Sequence, residues 1–314
     1  MGAAAVLGPV VRTPLALGVT ALAFVSTMAP ARAELYYVIV GGLGGEERYQ
    51  QQFETQIAAL AAVARRTAGS EARVAVLTGD GASREALEQS LIALSSKAKT
   101  TDSLAVFLVG HGSFDGEAYK LNLPGPDIDG EELGRLLAAV PARSQLIVNA
   151  TSASGAVLES WAAEGRTVIT ATRSGFERNA TRFAEHWAYA LSSPAADINK
   201  NGVITAQEAF DFASRAVADS FESQGTLATE HPQLAGDTAG RFNVARLQAQ
   251  AAVATPEGEA LNARLQTIEG EIDALRARRE QMESDAYLNE LQDLLVQLAL
   301  VQGQLDEAEA RVER

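Results

Sequence analysis

The sequence predicts an α/β fold of three layers, in which helices cover both faces of a mostly parallel sheet, followed by an α-helical coiled-coil hairpin. Two observations predict this architecture. Over residues 34–244, short apolar runs rich in β-branched residues alternate with segments of helical periodicity. After residue 258 proline disappears, glycine becomes rare, and leucine and isoleucine recur at spacings of three and four. Strands that alternate with helices favour parallel pairing, because each helix returns the chain to the same end of the sheet.

The predicted elements follow one another in the order that this fold requires. Strands are expected at residues 36–40, 73–77, 104–109, 145–149 and 166–171, and helices at residues 49–65, 83–95, 131–139, 154–163, 181–191 and 207–222. A glycine- and proline-rich insert is expected at residues 122–129. Binding sites of such sheets form beyond the carboxyl ends of the strands, so function is expected at residues 110–114 and 149–155.

Composition and charge narrow the possible partners. The 314 residues suffice for one α/β domain and an appendage. A formal net charge of −14 argues against nucleic acid and anionic lipid, whereas cationic partners and divalent cations fit this charge. The chain contains no cysteine, which excludes disulfides, thiolate catalysis and cysteine-ligated metals.

The N-terminal segment, residues 1–33, has the pattern of a cleaved signal peptide. Arg12 precedes an apolar run at residues 15–25, and an A-x-A cleavage pattern ends at Ala33, which makes Glu34 the expected mature N-terminus. The run of 11 residues is too short for a membrane span, although an uncleaved anchor is the alternative. No later segment is apolar enough to span a membrane. The sequence therefore predicts a periplasmic or secreted protein.

Two polar motifs each follow a predicted strand. The strand at residues 104–109 runs into His111, which lies between two glycines, and the strand at residues 145–149 runs into a polar turn that contains Thr151 and Ser152. Neighbouring parallel strands can bring a nucleophile and a base within about 3 Å of each other. The adjacent glycines let a substrate backbone approach and are expected to free local N–H groups for an oxyanion.

In the order and spacing of these motifs, residues 35–240 resemble the caspase–legumain clan of cysteine peptidases. In that clan one hydrophobic strand ends in His-Gly and another ends in Ala-Cys-x-Ser-Gly or similar. The resemblance implies a three-layer caspase-like fold in which His111 holds the position of the general base. Aligning Cys-x-Ser-Gly with residues 152–155 places Ser152 at the nucleophile position, whereas aligning Ala-Cys places Thr151 there.

The missing thiol leaves three interpretations of this edge of the sheet. The first is a pseudopeptidase, a peptidase-like module without activity that binds a peptide or protein. The second is a serine-dependent peptidase or transpeptidase that uses Ser152 and His111, although a serine hydroxyl needs a better aligned base than a thiol does. In the third, His111 is merely a polar residue at a strand end of another α/β fold.

The sequence assigns no acidic partner to orient His111. Asp115 is expected to be a solvated loop carboxylate, and His186 is expected to be structural because it lies within a helical pattern. His231 precedes Pro232 and is expected in a loop, with no obvious partner.

Residues 197–208 match an EF-hand calcium loop and form the most specific motif in the chain. Gly202 stands at position 6, where the turn requires a permissive residue, and Ile204 is the usual apolar anchor. The expected ligands, including the Val203 carbonyl and a water held by Thr205, are Asp197, Asn199, Asn201, Val203, Thr205 and Glu208. With two charged ligands and no second loop, the sequence predicts weak structural binding, with a Kd of about 10⁻⁴ to 10⁻³ M. The alternative is a degenerate loop kept for its turn.

The C-terminal region, residues 259–314, is predicted to be the coiled-coil hairpin, joined to the domain by a linker at residues 245–258. Its two apolar series differ in phase across residues 284–287, which favours a hairpin, with one long helix as the alternative. The predicted apolar positions are Leu261, Leu265, Ile268, Ile272 and Leu275, then Leu288, Leu291, Leu295, Leu298 and Leu305. The helices are expected either to pack on each other or to assemble homo-oligomers, which would make this a structural oligomer.

Overall fold

The structure, a computed structural model, describes residue 2, residues 33–247 and residues 256–312. Nearly all of the predicted signal peptide and most of the predicted linker lie outside the described residues. Within the described ranges, no helix has both the length and the apolar character needed to cross a bilayer.

The described elements alternate largely as the sequence predicts. The strands are β1 Leu35–Gly41, β2 Val74–Leu77, β3 Ser103–Val109, β4 Gly112–Phe114, β5 Tyr119–Leu121, β6 Ile128–Asp129, β7 Ser144–Asn149, β8 Arg166–Thr170, β9 Val203–Thr205, β10 Gln233–Ala235 and β11 Asn243–Arg246. The α-helices are α1 Glu47–Ala68, α2 Arg84–Lys97, α3 Gly130–Ala138, α4 Leu158–Trp161, α5 Phe183–Ala190, α6 Ala206–Ser223, α7 Pro256–Ala277 and α8 Ser284–Val312.

A six-stranded sheet in the order β10-β8-β7-β3-β1-β2 forms the centre of the domain. All its strand pairs are parallel except β8 with β10, which confirms the predicted mixed α/β fold with a mostly parallel sheet. The sequence analysis did not predict β10, because its three residues, Gln233–Ala235, are too few to show an alternating pattern. The parallel strands bring the ends of β3 and β7 to the same edge of the sheet.

Helices cover both faces of this sheet, as predicted. Successive side chains of β1 point to opposite faces, so Tyr37 and Ile39 join one buried cluster, and Val38 and Val40 join the other. The first cluster includes residues of α1, α5 and α6, and the second includes residues of α2, α3 and α4. The sheet is therefore the middle layer of three.

Two segments after the central strands differ from prediction. Residues 154–163 form a 3₁₀ turn at Ser154–Val157 and the short α4 rather than one helix. The Ser154 hydroxyl oxygen accepts the backbone N–H groups of Ala171 and Thr172, which ties the start of this segment to the end of the neighbouring strand. The predicted insert at residues 122–129 instead carries β6, which pairs with β5 at one edge of a small antiparallel sheet whose other edge is β4.

The C-terminal helices α7 and α8 share one buried cluster, and a short 3₁₀ turn at Arg279–Gln281 joins them. Arg311 near the end of α8 lies 3.7 Å from Glu257 at the start of α7, so the two helices run antiparallel. The break between the two helices falls before Ser284. Residues 284–287, where the sequence predicted the break, instead form the first turn of α8. Whether the pair supercoils as a coiled coil stays a prediction.

The apolar seam of α7 matches the prediction, whereas that of α8 does not. All five predicted positions of α7 lie in or against the shared cluster. In α8, Leu288 and Leu295 are exposed, and the seam follows a different heptad phase through Tyr287, Leu291, Leu294, Leu298, Val301 and Leu305. The prediction was wrong at Leu288 and Leu295 because leucines occupy two faces of this helix, and only the partner helix selects one of them.

Candidate functional site

His111 lies directly beyond β3, at the predicted edge of the sheet, where its ring packs against aromatic side chains of α1. The ring centroids of Tyr49 and Phe53 are 4.9 and 5.1 Å from that of His111, and both contacts are edge-on. Burial lowers the pKa of His111 below its ordinary value, although a hydrogen bond to the backbone of Gly44 and the charge of Glu46 act in the opposite direction. Burial against α1 therefore favours the neutral form of the His111 imidazole.

Ser152 lies beyond β7 at the same edge, but its hydroxyl is committed to the backbone. It donates to the carbonyl oxygen of Gly112 at 3.1 Å and accepts the N–H of Gly112 at 3.2 Å. Ser152 is only 2% exposed. Within residues 33–247, no hydrogen bond joins Ser152 to His111. The structure thus places both predicted site residues at one edge without a nucleophile–base hydrogen bond between them.

Thr151, the alternative nucleophile, is fully buried in a network of its own. Its hydroxyl donates to Asn149 Oδ1 at 2.8 Å and lies 2.7 Å from the hydroxyl of Tyr119. Burial raises the pKa of Tyr119 to about 12, so the phenol remains protonated and serves as a hydrogen-bond partner rather than a base. Thr151 therefore fastens β7 to the small antiparallel sheet.

Two backbone amides of this turn, those of Ala153 and Gly155, are occupied by other parts of the chain. Ala153 N–H donates to the carbonyl of Glu177 at 2.8 Å, and Gly155 N–H donates to the hydroxyl of Thr172 at 2.8 Å. Ala153 adopts a left-handed φ of 57°, which turns its amide toward the loop that follows β8. An oxyanion hole needs donors aimed at open space, and these donors point into the protein.

Gly112 shows why the turn is so tightly closed. A Cβ at this position would lie 2.5 Å from the Ser152 carbonyl oxygen and 2.7 Å from the Thr151 hydroxyl. Glycine is therefore required here for close approach of the β4 backbone to the turn after β7. The sequence analysis assigned this glycine to substrate access, but the structure uses it for contact between two parts of the chain.

A hydrogen-bonded pair of His231 and Glu177, which the sequence did not predict, lies beside the turn. His231 Nδ1 is 2.6 Å from Glu177 Oε1, and Arg173 Nε is 3.0 Å from the same oxygen. Glu177 is the residue whose carbonyl accepts Ala153 N–H, so the pair is linked to the turn. His231 was expected to have no partner. The partner stands 54 positions away, and no local spacing could have signalled it.

The loop that carries Glu177 also presents an exposed aromatic ring. Phe176 is 70% exposed and meets Phe114 of β4 edge-on, with centroids 5.4 Å apart. The guanidinium of Arg178 lies 5.8 Å from the centre of the Phe176 ring. An exposed aromatic cluster flanked by charged groups is the kind of surface that anchors peptide side chains.

The two remaining candidates occupy positions that fit their predicted roles. Asp115 is exposed, and backbone N–H groups of Ala118 and Glu117 hold the pKa of its carboxyl below the ordinary value. His186 lies in α5, and burial lowers the pKa of its ring.

The predicted calcium loop forms a compact turn whose oxygen-bearing side chains point inward. Asp197 accepts the backbone N–H groups of Asn201 and Gly202 at 3.2 and 2.8 Å, and Asn201 Oδ1 accepts Val203 N–H at 2.8 Å. Gly202 has a φ of 77° and Lys200 a φ of 57°, so two left-handed residues produce the tight bend. These bonds fix the positions of the Asp197 carboxylate and the Asn201 amide oxygen within the loop.

Glu208 closes this loop from the start of α6. Its Oε1 accepts the N–H of Ile198 at 3.2 Å, while its Oε2 accepts the N–H and hydroxyl of Thr205 as part of a capping box. The first and last ligand positions of the loop are thereby brought together. Asp197 is only 6% exposed, and no cationic side chain among the described residues pairs with it.

The donor set fits a hard cation better than a soft one. Within the described residues, no group of three or more His, Cys, Asp or Glu side chains could hold a metal. The loop offers two carboxylates, two amide oxygens and a backbone carbonyl, and such neutral oxygens are normal calcium ligands. A buried carboxylate without a cationic partner is a further reason that the loop suits a divalent ion.

The loop is braced by a second small sheet. The strand β9 at its end pairs antiparallel with β11 near the end of the domain, and Leu247 N–H donates to the Gly202 carbonyl. Ordered pairing thus continues to Arg246, two residues beyond the predicted domain boundary at 244. Neither strand was predicted, because each is short.

Comparison with known proteins gives little beyond these observations. No family model matches the chain, and no curated protein matches it. Among solved structures, protein GSU0716 from Geobacter sulfurreducens is similar with a TM-score of 0.44 and 12% identity, covering 69% of this chain and 99% of that one. The Drosophila initiator caspase Dronc is similar with a TM-score of 0.43 and 10% identity, covering 68% of this chain and 81% of that one.

Proposed function

We propose that this is an exported, calcium-binding protein with a peptidase-like α/β domain that binds a peptide or protein without cleaving it. One observation carries the proposal. The hydroxyl of Ser152 is hydrogen-bonded on both sides to the backbone of Gly112, and not to His111. A serine nucleophile needs a base within hydrogen-bond reach. The Ser152 hydroxyl instead joins the turn after β7 to the start of β4.

The occupied amides support the same conclusion. A serine-dependent enzyme would need Ser152 to leave both bonds to Gly112, and Ala153 N–H to leave the Glu177 carbonyl. Each lost bond would leave a buried polar group without a hydrogen-bond partner, at a cost of about 1–3 kcal/mol. The serine peptidase or transpeptidase therefore remains the less favoured alternative.

Labelling with a fluorophosphonate probe tests the absence of an activated serine. We expect no covalent adduct by intact-mass analysis of the wild-type protein. Labelling that disappears in both Ser152→Ala and His111→Ala, but persists in His186→Ala, would overturn the proposal in favour of the serine enzyme.

The aromatic surface formed by Phe114 and Phe176 supports peptide binding. This surface lies beside the Glu177–His231 pair. An apolar side chain of a peptide would pack on the aromatic rings while a neighbouring polar group binds the pair. Fluorescence anisotropy with a pool of labelled random hexapeptides tests this. We expect Phe176→Ala to bind selected peptides at least tenfold more weakly. Tyr189→Ala, which removes another exposed aromatic ring from α5, should leave binding unchanged. Equal binding by both variants would contradict the proposed surface.

Calcium would be held by the side chains of Asp197, Asn199, Asn201 and Glu208 and by the carbonyl of Val203, with Thr205 acting through water. The ion would serve as a structural clip between the segment after α5 and the start of α6, because its ligands come from both. Calorimetric titration of the metal-free protein tests this. We expect binding with a Kd of about 10⁻⁴ to 10⁻³ M. No heat at millimolar calcium would contradict it.

A structural oligomer is a second candidate, and one observation favours it. The face of α8 away from the shared cluster leaves Leu288, Leu295, Val296 and Leu300 between 45% and 64% exposed. Light scattering of the full chain and of a chain ending at Ala254 distinguishes the cases. A larger assembly that becomes monomeric on truncation would support the oligomer.

A further inference from the structure

Asp102, at the start of β3, carries a buried carboxylate whose charge is unbalanced. It is 1% exposed. Its Oδ1 accepts the backbone N–H of Glu34 at 3.0 Å, and its Oδ2 accepts the backbone N–H of Lys99 at 2.8 Å. No cationic side chain within the described residues forms an ion pair with it. A buried carboxylate held by neutral donors alone is costly, and a cation at the same place would offset that cost.

The residue that contacts Asp102 is the expected first residue of the mature chain. Glu34 follows Ala33, the last residue of the A-x-A cleavage pattern. Its backbone nitrogen is therefore the atom that cleavage would change from an amide into an amine. Cleavage at this bond would give a positive charge to the Glu34 nitrogen alone. That nitrogen already lies 3.0 Å from the buried carboxylate of Asp102.

The position of the Glu34 nitrogen is fixed by contacts that follow the cleavage point. The carbonyl of Glu34 accepts the N–H of Ser103 at 2.8 Å, and the next residue begins the parallel ladder between β1 and β3. The carbonyl of Asp102 accepts the N–H of Arg143 at 2.7 Å, which anchors the other partner. Both groups would keep their places after residues 1–33 are removed.

We propose that removal of residues 1–33 creates a buried ion pair between the new α-ammonium group of Glu34 and the carboxylate of Asp102. In this step a signal peptidase and water hydrolyse the Ala33–Glu34 peptide bond. The acyl group leaves as the Ala33 carboxylate, and the Glu34 amine takes up a proton to become an ammonium. Export would thereby complete the fold with an electrostatic contact that the precursor lacks.

The surroundings of Ala33 accommodate this change. Ala33 is exposed and borders a polar cavity of about 780 Å³, whose lining includes Thr101, Ser103, Ser144 and Arg143. The bond to be cleaved therefore lies at an open rim and not in packed core. An ammonium has three N–H donors in place of one, so it can bond Asp102 and still reach water in this cavity.

A double-mutant cycle tests the ion pair without relying on peptide binding or calcium. Two proteins are made from fusions cut without a scar, one starting at Glu34 and one at Ala33, each with and without Asp102→Asn. Urea unfolding is measured for all four. We expect Asp102→Asn to raise the unfolding equilibrium constant at least tenfold more in the protein that starts at Glu34. The exposed-residue control, Asp80→Asn, should change both proteins equally.

Equal effects of Asp102→Asn in the two proteins would overturn the proposal. If Asp102→Asn prevents folding of both proteins, acylation of the α-amine in the two unsubstituted proteins provides the test. At pH 7 this acylation should be at least tenfold slower in the protein starting at Glu34 than in the protein starting at Ala33. Similar rates would contradict a buried ammonium. N-terminal sequencing of the exported protein must also begin at Glu34, and any other start overturns the proposal.

Discussion

The calcium loop and the turn after β7 are both tight turns bound by side-chain and backbone hydrogen bonds, but their bonds have different ranges. In the loop, every hydrogen bond of the Asp197, Asn201 and Glu208 side chains named above links residues at most 10 positions apart. In the turn, the bonds of Ser152 to Gly112 span 40 positions. A local pattern therefore determines the first geometry, whereas only the folded sheet determines the second.

This difference explains why a motif can be present without its chemistry. At the turn, the residue types expected of a catalytic site follow the correct strands, yet their side chains contact other parts of the chain rather than each other. His111 packs against α1, and Ser152 binds Gly112. At the loop, residues that are close in sequence form the turn through hydrogen bonds with one another.

Gly112→Ala should produce the largest loss of stability. The added Cβ would meet the backbone of Ser152 and the hydroxyl of Thr151, neither of which can move without breaking its own bonds. We expect unfolding free energy to fall by about 3 kcal/mol or more, measured by urea denaturation. Gly81→Ala is the matched control, because a Cβ there meets nothing within 4 Å. Similar effects of both changes would contradict the proposed role of Gly112.

Raising the pH through the acidic range should destabilise the region near the turn. Burial raises the pKa of Glu230 to about 7, and the charge of Glu177 adds to this. Because the folded state then holds the proton more tightly than the unfolded state, stability is highest below the ordinary carboxyl pKa and falls as pH rises toward 7. We expect a loss of up to about 3 kcal/mol.

Glu230→Gln should remove that pH dependence, as followed by urea unfolding at pH 4.5, 6 and 8. One oxygen of Glu230 has no hydrogen-bond partner among the described residues, so a neutral amide replaces the acid without losing a bond at that atom. A variant that keeps the full wild-type pH dependence would show that another group is responsible.

Glu208→Gln separates the two roles of Glu208 in the calcium loop. Glutamine can still accept the Thr205 N–H in the capping box, but its NH2 group cannot accept the Ile198 N–H and it cannot bind calcium through two charged oxygens. We expect at least about a tenfold loss of calcium affinity, or 1.4 kcal/mol, and a loss of about 1 kcal/mol of stability in chelator from the missing Ile198 bond. Unchanged affinity by calorimetry would contradict the assigned ligand.

Two substitutions in the same loop should have small effects of opposite sign. Gly202→Ala forces alanine into a φ of 77° and should cost about 1 kcal/mol in chelator. Lys200→Gly relieves a left-handed lysine at a φ of 57° and should stabilise by up to about 1 kcal/mol. Thermal unfolding of both variants checks the signs. Effects of the same sign would mean that backbone strain does not govern this turn.

The sequence predicts the central layers well because burial on both faces leaves a strong local signal. The runs at β1 and β3 contain mostly apolar residues, β7 has three consecutive apolar residues at its centre, and the predicted start of α2 at Ser83 is the residue that caps the helix by accepting the N–H of Ala86. Short strands such as β9 and β10 give no comparable signal. They form by pairing with strands distant in the sequence, β9 with β11 and β10 with β8, which is information that no window of the sequence contains.

The site is less predictable than the fold for the same reason. Local spacing predicted the tight turn at residues 197–208, but it could not show that Glu177 would meet His231 or that the amide of Ala153 would be occupied. These contacts depend on how loops from β7 and β8 cross. The heptad phase of α8 similarly depended on α7, since leucines on two faces satisfied the pattern equally.

The central claim is that this edge of the sheet binds peptides without cleaving them, and a peptide library tests it directly. The calcium-loaded protein is incubated with a diverse library, and products are analysed by mass spectrometry beside Ser152→Ala. The account predicts no cleavage or transfer products above those of the Ser152→Ala sample. Products formed by the wild-type protein and lost in both Ser152→Ala and His111→Ala would contradict it.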